Sequence, residues 1–210
     1  MILLTAFEPF AGEAVNSTQQ TLEALGLLRE RSSARMPGVR GVLLPVTFAD
    51  CVPALERAVR ETAPSAVLCL GQAGGAEKLA VERVGVNLDD ARIPDNAGEQ
   101  PRDRAIDPSG PAAYFSTLPT RAICEALEAA GLPARLSYSA GTFVCNHLLY
   151  GALRMLSGTG IPAGFLHLPY LLPGKNGIAP EAAMQAVTIA VRVIRENTNE
   201  TRNDSCLWKD

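Results

Sequence analysis

Short apolar runs rich in β-formers alternate along this chain with longer segments of helical period. That alternation restricts it to an α/β layered domain, a three-layer α/β/α sandwich around a twisted, largely parallel mixed sheet. Met1 to Phe7, Gly41 to Val46, Ser65 to Leu70, Ala134 to Ser139 and Gly164 to Leu168 read as strands. Leu79 to Leu88 reads as a further strand, antiparallel in a mixed sheet. The spacing predicts helices over Gln19 to Glu30, capped by Asn16-Ser17-Thr18, and over Thr47 to Thr62, with Pro53 in the first turn. Further helices are expected over Thr120 to Ala130, from Cys145 onward, and over Ala179 to Glu196. Residues 89 to 117 hold four prolines (94, 101, 108 and 111) and are expected to be irregular, with a functional or assembly role.

With 210 residues, 47% of them hydrophobic, the chain can bury one good core and is too short for two large domains. Residues 1–196 read as that domain and 197–210 as a polar tail. A formal charge of -3 and the lack of a basic cluster argue against nucleic acid and anionic membrane surfaces as partners. The start, Met1-Ile2-Leu3-Leu4-Thr5-Ala6-Phe7-Glu8-Pro9, matches neither a signal peptide nor a membrane span, so a cytoplasmic location is expected. Five scattered cysteines (51, 69, 124, 145 and 206) without CxxC spacing point to reduced thiols rather than disulfides or zinc.

The chemistry concentrates in Ser137-Tyr138-Ser139-Ala140-Gly141-Thr142-Phe143-Val144-Cys145-Asn146-His147, where an extended segment turns into an apolar helix. A thiol in a first helical turn faces unpaired N–H groups and the positive end of the dipole, which stabilise an anion. A thiol hydrolase also needs a histidine, and there are two. On a helix, positions i and i+2 point about 200° apart, so His147 turns away from Cys145 and His167 is the better partner. His167 also fits a satisfied core histidine, and Glu82 fits either an ion pair with Arg83 on a solvated strand face or a carboxylate that orients an imidazole. In a parallel α/β sheet such groups are expected to meet beyond the carboxyl ends of the strands. Asp89, Asp90 and Asp95 read as solvated loop carboxylates rather than metal ligands. Gly71-Gln72-Ala73-Gly74-Gly75 lacks the residues of a phosphate loop and reads as a tight turn at a ligand edge.

Several blocks then fall in the order found in one family. The cysteine motif just quoted, Glu82-Arg83-Val84-Gly85-Val86-Asn87, Phe7-Glu8-Pro9-Phe10, Leu44-Pro45-Val46, Gly71-Gln72-Ala73-Gly74-Gly75, Ala91-Arg92-Ile93-Pro94-Asp95-Asn96 and His167-Leu168-Pro169-Tyr170 resemble pyroglutamyl peptidase type I, a family of cytoplasmic cysteine exopeptidases. The resemblance implies hydrolysis of the bond after an N-terminal pyroglutamyl residue, without a cofactor. It implies Cys145 as nucleophile, His167 as base and acid, Glu82 as the residue orienting the histidine, and Arg92 with the Cys145 N–H as oxyanion donors. Phe7, Phe10 and Phe143 match the positions that enclose the lactam ring, and Gln72 and Asn16 those near its polar edge or the pocket entrance. Peptides with N-terminal pyroglutamate are the implied partners, in a chain that assembles as a dimer or tetramer. Ala6 and Ala11 stand where the family often has glycine, Ser17 where it has proline, Ala80 where it has Ser or Thr, and Gly85 where it has alanine. A glutaminase-type thiol amidohydrolase and a non-catalytic ligand-binding module are the rival readings. The first normally has glycine two residues either side of its cysteine, where this chain has Phe143 and His147.

Overall fold

The three longest fully buried strands of this chain need a sheet covered on both faces. They are β1 (Ile2–Phe7), β3 (Ala66–Gln72) and β8 (Ala163–Leu168). The computed structural model describes residues 1–28, 35–171 and 177–204. Among these, β2 (Val39–Leu44), β4 (Leu79–Glu82) and β7 (Ala134–Ser137) complete a six-stranded sheet in the order β2-β1-β3-β8-β4-β7. β2, β1, β3 and β8 are parallel, whereas β4 and β7, parallel to each other, run the opposite way.

Side-chain alternation along the strands builds two apolar layers. Ile2, Leu4, Leu68, Leu70, Val81 and Leu166 face one side, against α1 (Ser17–Ala24), α3 (Thr120–Ala129) and α5 (Pro180–Asp204). Leu3, Val67, Cys69 and Phe165 face the other, against α2 (Cys51–Thr62) and α4 (Val144–Met155). The result is the expected α/β/α sandwich. By the same alternation, Ala80, Glu82 and His167 belong to the α2/α4 side.

Four sequence expectations change. The first helix ends at Ala24 rather than Glu30, which lies outside the described residues. Gly26 takes φ 69°, and Gly26 N–H→Glu23 O with Leu27 N–H→Leu22 O closes the helix in a Schellman turn. The second helix begins at Cys51 rather than Thr47, because the Thr47 hydroxyl exchanges hydrogen bonds with Asp50 and folds residues 47–50 into a turn. The expected strand Leu79 to Leu88 breaks at Arg83. Its N–H still donates to Ser137 O in the main sheet, but its carbonyl accepts from Ser116. Beyond it, β5 (Val84–Val86) pairs antiparallel with β6 (Ala113–Phe115), a strand inside the segment expected to be irregular. Finally, α5 extends past Glu196 to Asp204.

The small β5–β6 sheet lies hard against α4 at Gly85, where an added Cβ would sit 2.9 Å from the backbone nitrogen of Tyr150. A helix backbone cannot yield as a side-chain tip can. Gly85→Ala is therefore expected to lower stability by about 1–3 kcal/mol, read as a lower melting temperature or denaturant midpoint.

Candidate active site

Glu82 and His167 are neighbours because β8 is inserted antiparallel beside β4. Ala80 pairs with His167 and Glu82 with Phe165, so all four side chains share the α2/α4 face. The Nδ1 of His167 lies 2.8 Å from Glu82 Oε1. Cys145, in the first turn of α4, lies close enough to the same imidazole to act on its charge. Since the carboxylate can only accept, it holds the proton on Nδ1 and leaves Nε2 for the thiol.

The cleft lies at the carboxyl ends of the parallel strands, where Phe7 closes β1, Gln72 closes β3 and His167 is next to last in β8. Glu82 is the exception, since β4 runs against these strands and brings it to His167 from the opposite direction. Gly71, beside His167 in β3, makes that approach possible, because a Cβ there would come within 2.8 Å of both the Phe165 and His167 rings.

Glu82 is 1% exposed and His167 is 7% exposed, which removes the reading of Glu82 as part of a solvated ion pair. Burial by itself would discharge the imidazole. The interactions with Cys145 and Glu82, and the negative charge they bring, outweigh it and push His167 from 6.5 up to about 9. The second carboxylate oxygen, Oε2, is buried without a hydrogen-bond partner, and Ala80 on the same face offers no hydroxyl. The helix above is equally open: α4 has no side-chain cap and no acidic residue in its first turn. Its leading N–H groups therefore remain available to an oxygen anion.

Phe7, Phe10, Asn16, Val46, Gln72, Phe143, Val144 and Cys145 line a narrow cleft that includes the thiol. Its aromatic wall is propped from behind. Phe143 stands 6.1 Å from Phe10 and meets Phe48 edge-on at 5.5 Å, and Phe48 in turn meets the His147 ring edge-on at 5.5 Å. Two carboxamides, Asn16 and Gln72, supply the polar side chains. Asn16 caps α1 through Thr18 N–H and ties down the loop by donating to Glu8 O. Every sequence-predicted site residue except Arg92 is thus gathered here; Arg92 lies exposed, with no hydrogen bond or ion pair to the site among the described residues.

Two of the loop carboxylates are not solvated. Asp89 is 0% exposed and receives Arg104 at 3.1 Å and His147 Nδ1 at 3.0 Å. Asp95 is buried and accepts from the N–H groups of Phe48, Ala97 and Glu99. They pin the long segment down, so its irregular backbone is an ordered wall beside the site. Glu13 was not singled out by the sequence reading either, yet it receives both Gln72 and Tyr170. For Asp89 and Glu13 no local pattern gives the signal, since their partners lie 15 to 157 positions away; Asp95 has local partners in Ala97 and Glu99 but is buried by Phe48, 47 positions away.

His147 therefore serves Asp89 and the aromatic wall, not Cys145. His147→Ala is expected to cost about 1–3 kcal/mol of stability by stripping a buried carboxylate of one partner. At a temperature where the variant is folded, most of the turnover should remain; loss of turnover as complete as in His167→Ala would reassign the base.

The pyroglutamyl peptidase family model matches residues 1–198. The chain is 44% identical to the pyrrolidone-carboxylate peptidase of Gloeobacter violaceus, covering 94% of this chain and 98% of that one. It is 43% identical to that of Escherichia fergusonii, covering 90% of each. Among solved structures, the pyrrolidone carboxyl peptidase of Thermococcus litoralis superimposes with a TM-score of 0.85 at 36% identity, covering 95% of each chain. Pyroglutamyl peptidase I of Bacillus amyloliquefaciens gives 0.82 at 37% identity, covering 92% of this chain and 95% of that one. With a cysteine, a histidine and a glutamate linked beneath a helix start, and near-complete coverage in every comparison, the chain belongs to the pyroglutamyl peptidase family.

Proposed function

We propose that this chain removes N-terminal pyroglutamate from peptides with Cys145 as nucleophile, His167 as general acid and base, and Glu82 as the residue that orients and charges the histidine. As a member of its family the chain is a cysteine peptidase of the pyroglutamyl type. The observation that carries the residue assignment is the buried Glu82–His167 pair, closed at 2.8 Å, with Cys145 at the start of α4 beside both the imidazole and the aromatic cleft.

A pyroglutamyl residue has no α-ammonium, so recognition by carboxylates has nothing to pair with. A flat, neutral lactam suits an aromatic slot with carboxamides at its rim, which is the cleft beside Cys145. His167 Nε2 takes the thiol proton as the Cys145 sulfur attacks the exocyclic carbonyl carbon, and the carbonyl π electron pair moves onto the oxygen. The first-turn N–H groups of α4 receive that oxygen; the family resemblance adds Arg92 as a further donor. The intermediate collapses by breaking the C–N bond as His167 gives its Nε2 proton to the departing amine. Water then attacks the thioester, His167 takes its proton, and pyroglutamate leaves with the thiol restored.

A cytoplasmic location is part of this reading, supported by Cys51, Cys69, Cys124 and Cys145 all being free thiols. Among the described residues no helix is long and apolar enough to cross a membrane. Assembly as a dimer or tetramer is supported by Phe115, 68% exposed on β6.

Release of the fluorophore from a pyroglutamyl amide tests the proposal. Cys145→Ala is expected to abolish turnover and His167→Ala to reduce it by roughly a hundred- to ten-thousand-fold. Persistent release in Cys145→Ala would end the assignment.

The pH profile carries a second prediction. His167 must be protonated to act as the acid, so kcat/KM should fall as pH rises through about 9. Glu82 holds that proton on, and its neutralisation in Glu82→Gln should move the alkaline limb to lower pH. An unmoved limb would detach Glu82 from the histidine.

A further inference from the structure

The Gln72 carboxamide at the cleft is gripped at both ends, by partners that leave no choice of orientation. Its Oε1 accepts from the backbone N–H of Ser17 at 2.7 Å, a group that only donates. Its Nε2 donates to Glu13 Oε2 at 2.5 Å, an oxygen that only accepts when ionised. Tyr170 donates its hydroxyl to the other Glu13 oxygen at 2.6 Å, so the carboxylate cannot turn away. The Ser17 N–H is one of the unpaired donors at the start of α1, and it exists because this position is serine. A proline, the residue common there in the family, has no such hydrogen. Beside it, Asn16 is equally fixed, with Oδ1 taken by both the N–H and the hydroxyl of Thr18.

We propose that Ser17 and Glu13 are positioning residues for ring recognition: they lock the polarity of the Gln72 amide at the cleft wall and so set the preference for a lactam over an apolar ring of the same size. The inference rests on the peptidase reading of the cleft. A free carboxamide must lose rotational freedom, and in half its orientations presents the wrong end to a ring carbonyl or N–H. The clamp removes that cost before the ligand arrives.

The chain supplies its own control. The Ser17 hydroxyl is buried without a partner, so Ser17→Ala deletes nothing the clamp uses while keeping the N–H. Ser17→Pro deletes the N–H alone. It suits the first residue of a helix, and Asn16 before it already has the extended φ -124°, ψ 130° that a following proline requires. Glu13→Leu removes the acceptor at the other end while leaving a side chain of comparable size.

The test measures the affinities of pyroglutamamide and cyclopentanecarboxamide by calorimetry in a Cys145→Ala background, so that no turnover intervenes. The preference for the lactam is expected to shrink roughly three- to tenfold in Ser17→Pro and in Glu13→Leu, the worth of one neutral hydrogen bond, and to stay unchanged in Ser17→Ala. In the Cys145 enzyme the same two variants should raise KM and spare kcat. An equal preference in all four proteins, or a Ser17→Ala protein that behaves like Ser17→Pro, overturns the proposal. Absence of hydrolysis by the parent chain with the pattern of preferences intact overturns the peptidase reading and supports the clamp; absence of any lactam binding overturns both.

Discussion

A carboxylate enclosed by protein is tolerated only if something nearby rewards its charge. Glu82 has one such partner, the imidazole of His167, and the remainder of the site follows from that pairing. The bond fixes the ring tautomer, aims Nε2 at the thiol and holds a proton that an isolated buried histidine would shed. Because Oε2 is left without a donor, nothing competes with His167 for the charge. The missing hydroxyl at Ala80 strengthens the histidine's claim on the proton at the expense of a fully satisfied carboxylate.

The cleft obeys a related logic. Its aromatic wall and its amides are each fixed from outside: Phe48, His147 and Asp89 stand behind Phe143, and Glu13, Ser17 and Tyr170 stand behind Gln72. A ring entering the cleft therefore meets surfaces that are already arranged. Supporting residues of this kind carry no chemistry themselves, yet they decide how little must move when a ligand binds.

Much of the fold was legible because the apolar pattern of a doubly covered sheet is strong. The runs Ile2–Phe7 and Ala66–Gln72 are apolar on both faces, and the Cys145 turn and the i, i+2 geometry separated His147 from the relay. Strand direction was less legible. Nothing in Leu79–Glu82 says that it will lie antiparallel to β8, so the direction from which Glu82 reaches His167 could not be read from the sequence. Turn chemistry was missed where the deciding groups were a backbone torsion at Gly26 or a hydroxyl at Thr47. The burial of Asp89 and Asp95 was hidden because a charged residue in a Pro- and Gly-rich stretch looks solvated until its distant partners are known.

Strand order also bears on how the molecule comes into being. β8 lies between β3 and β4, two strands synthesised about ninety residues earlier, so for most of translation each of them keeps an unpaired edge and the sheet exists as two separate halves. Insertion of residues 163–168 joins those halves, and the same event delivers His167 to Glu82. The last strand to form is the one that completes the relay. A nascent chain that stalls before β8 would hold Cys145 and Glu82 without the imidazole between them, so on the proposed assignment proteolytic competence begins only when folding is complete.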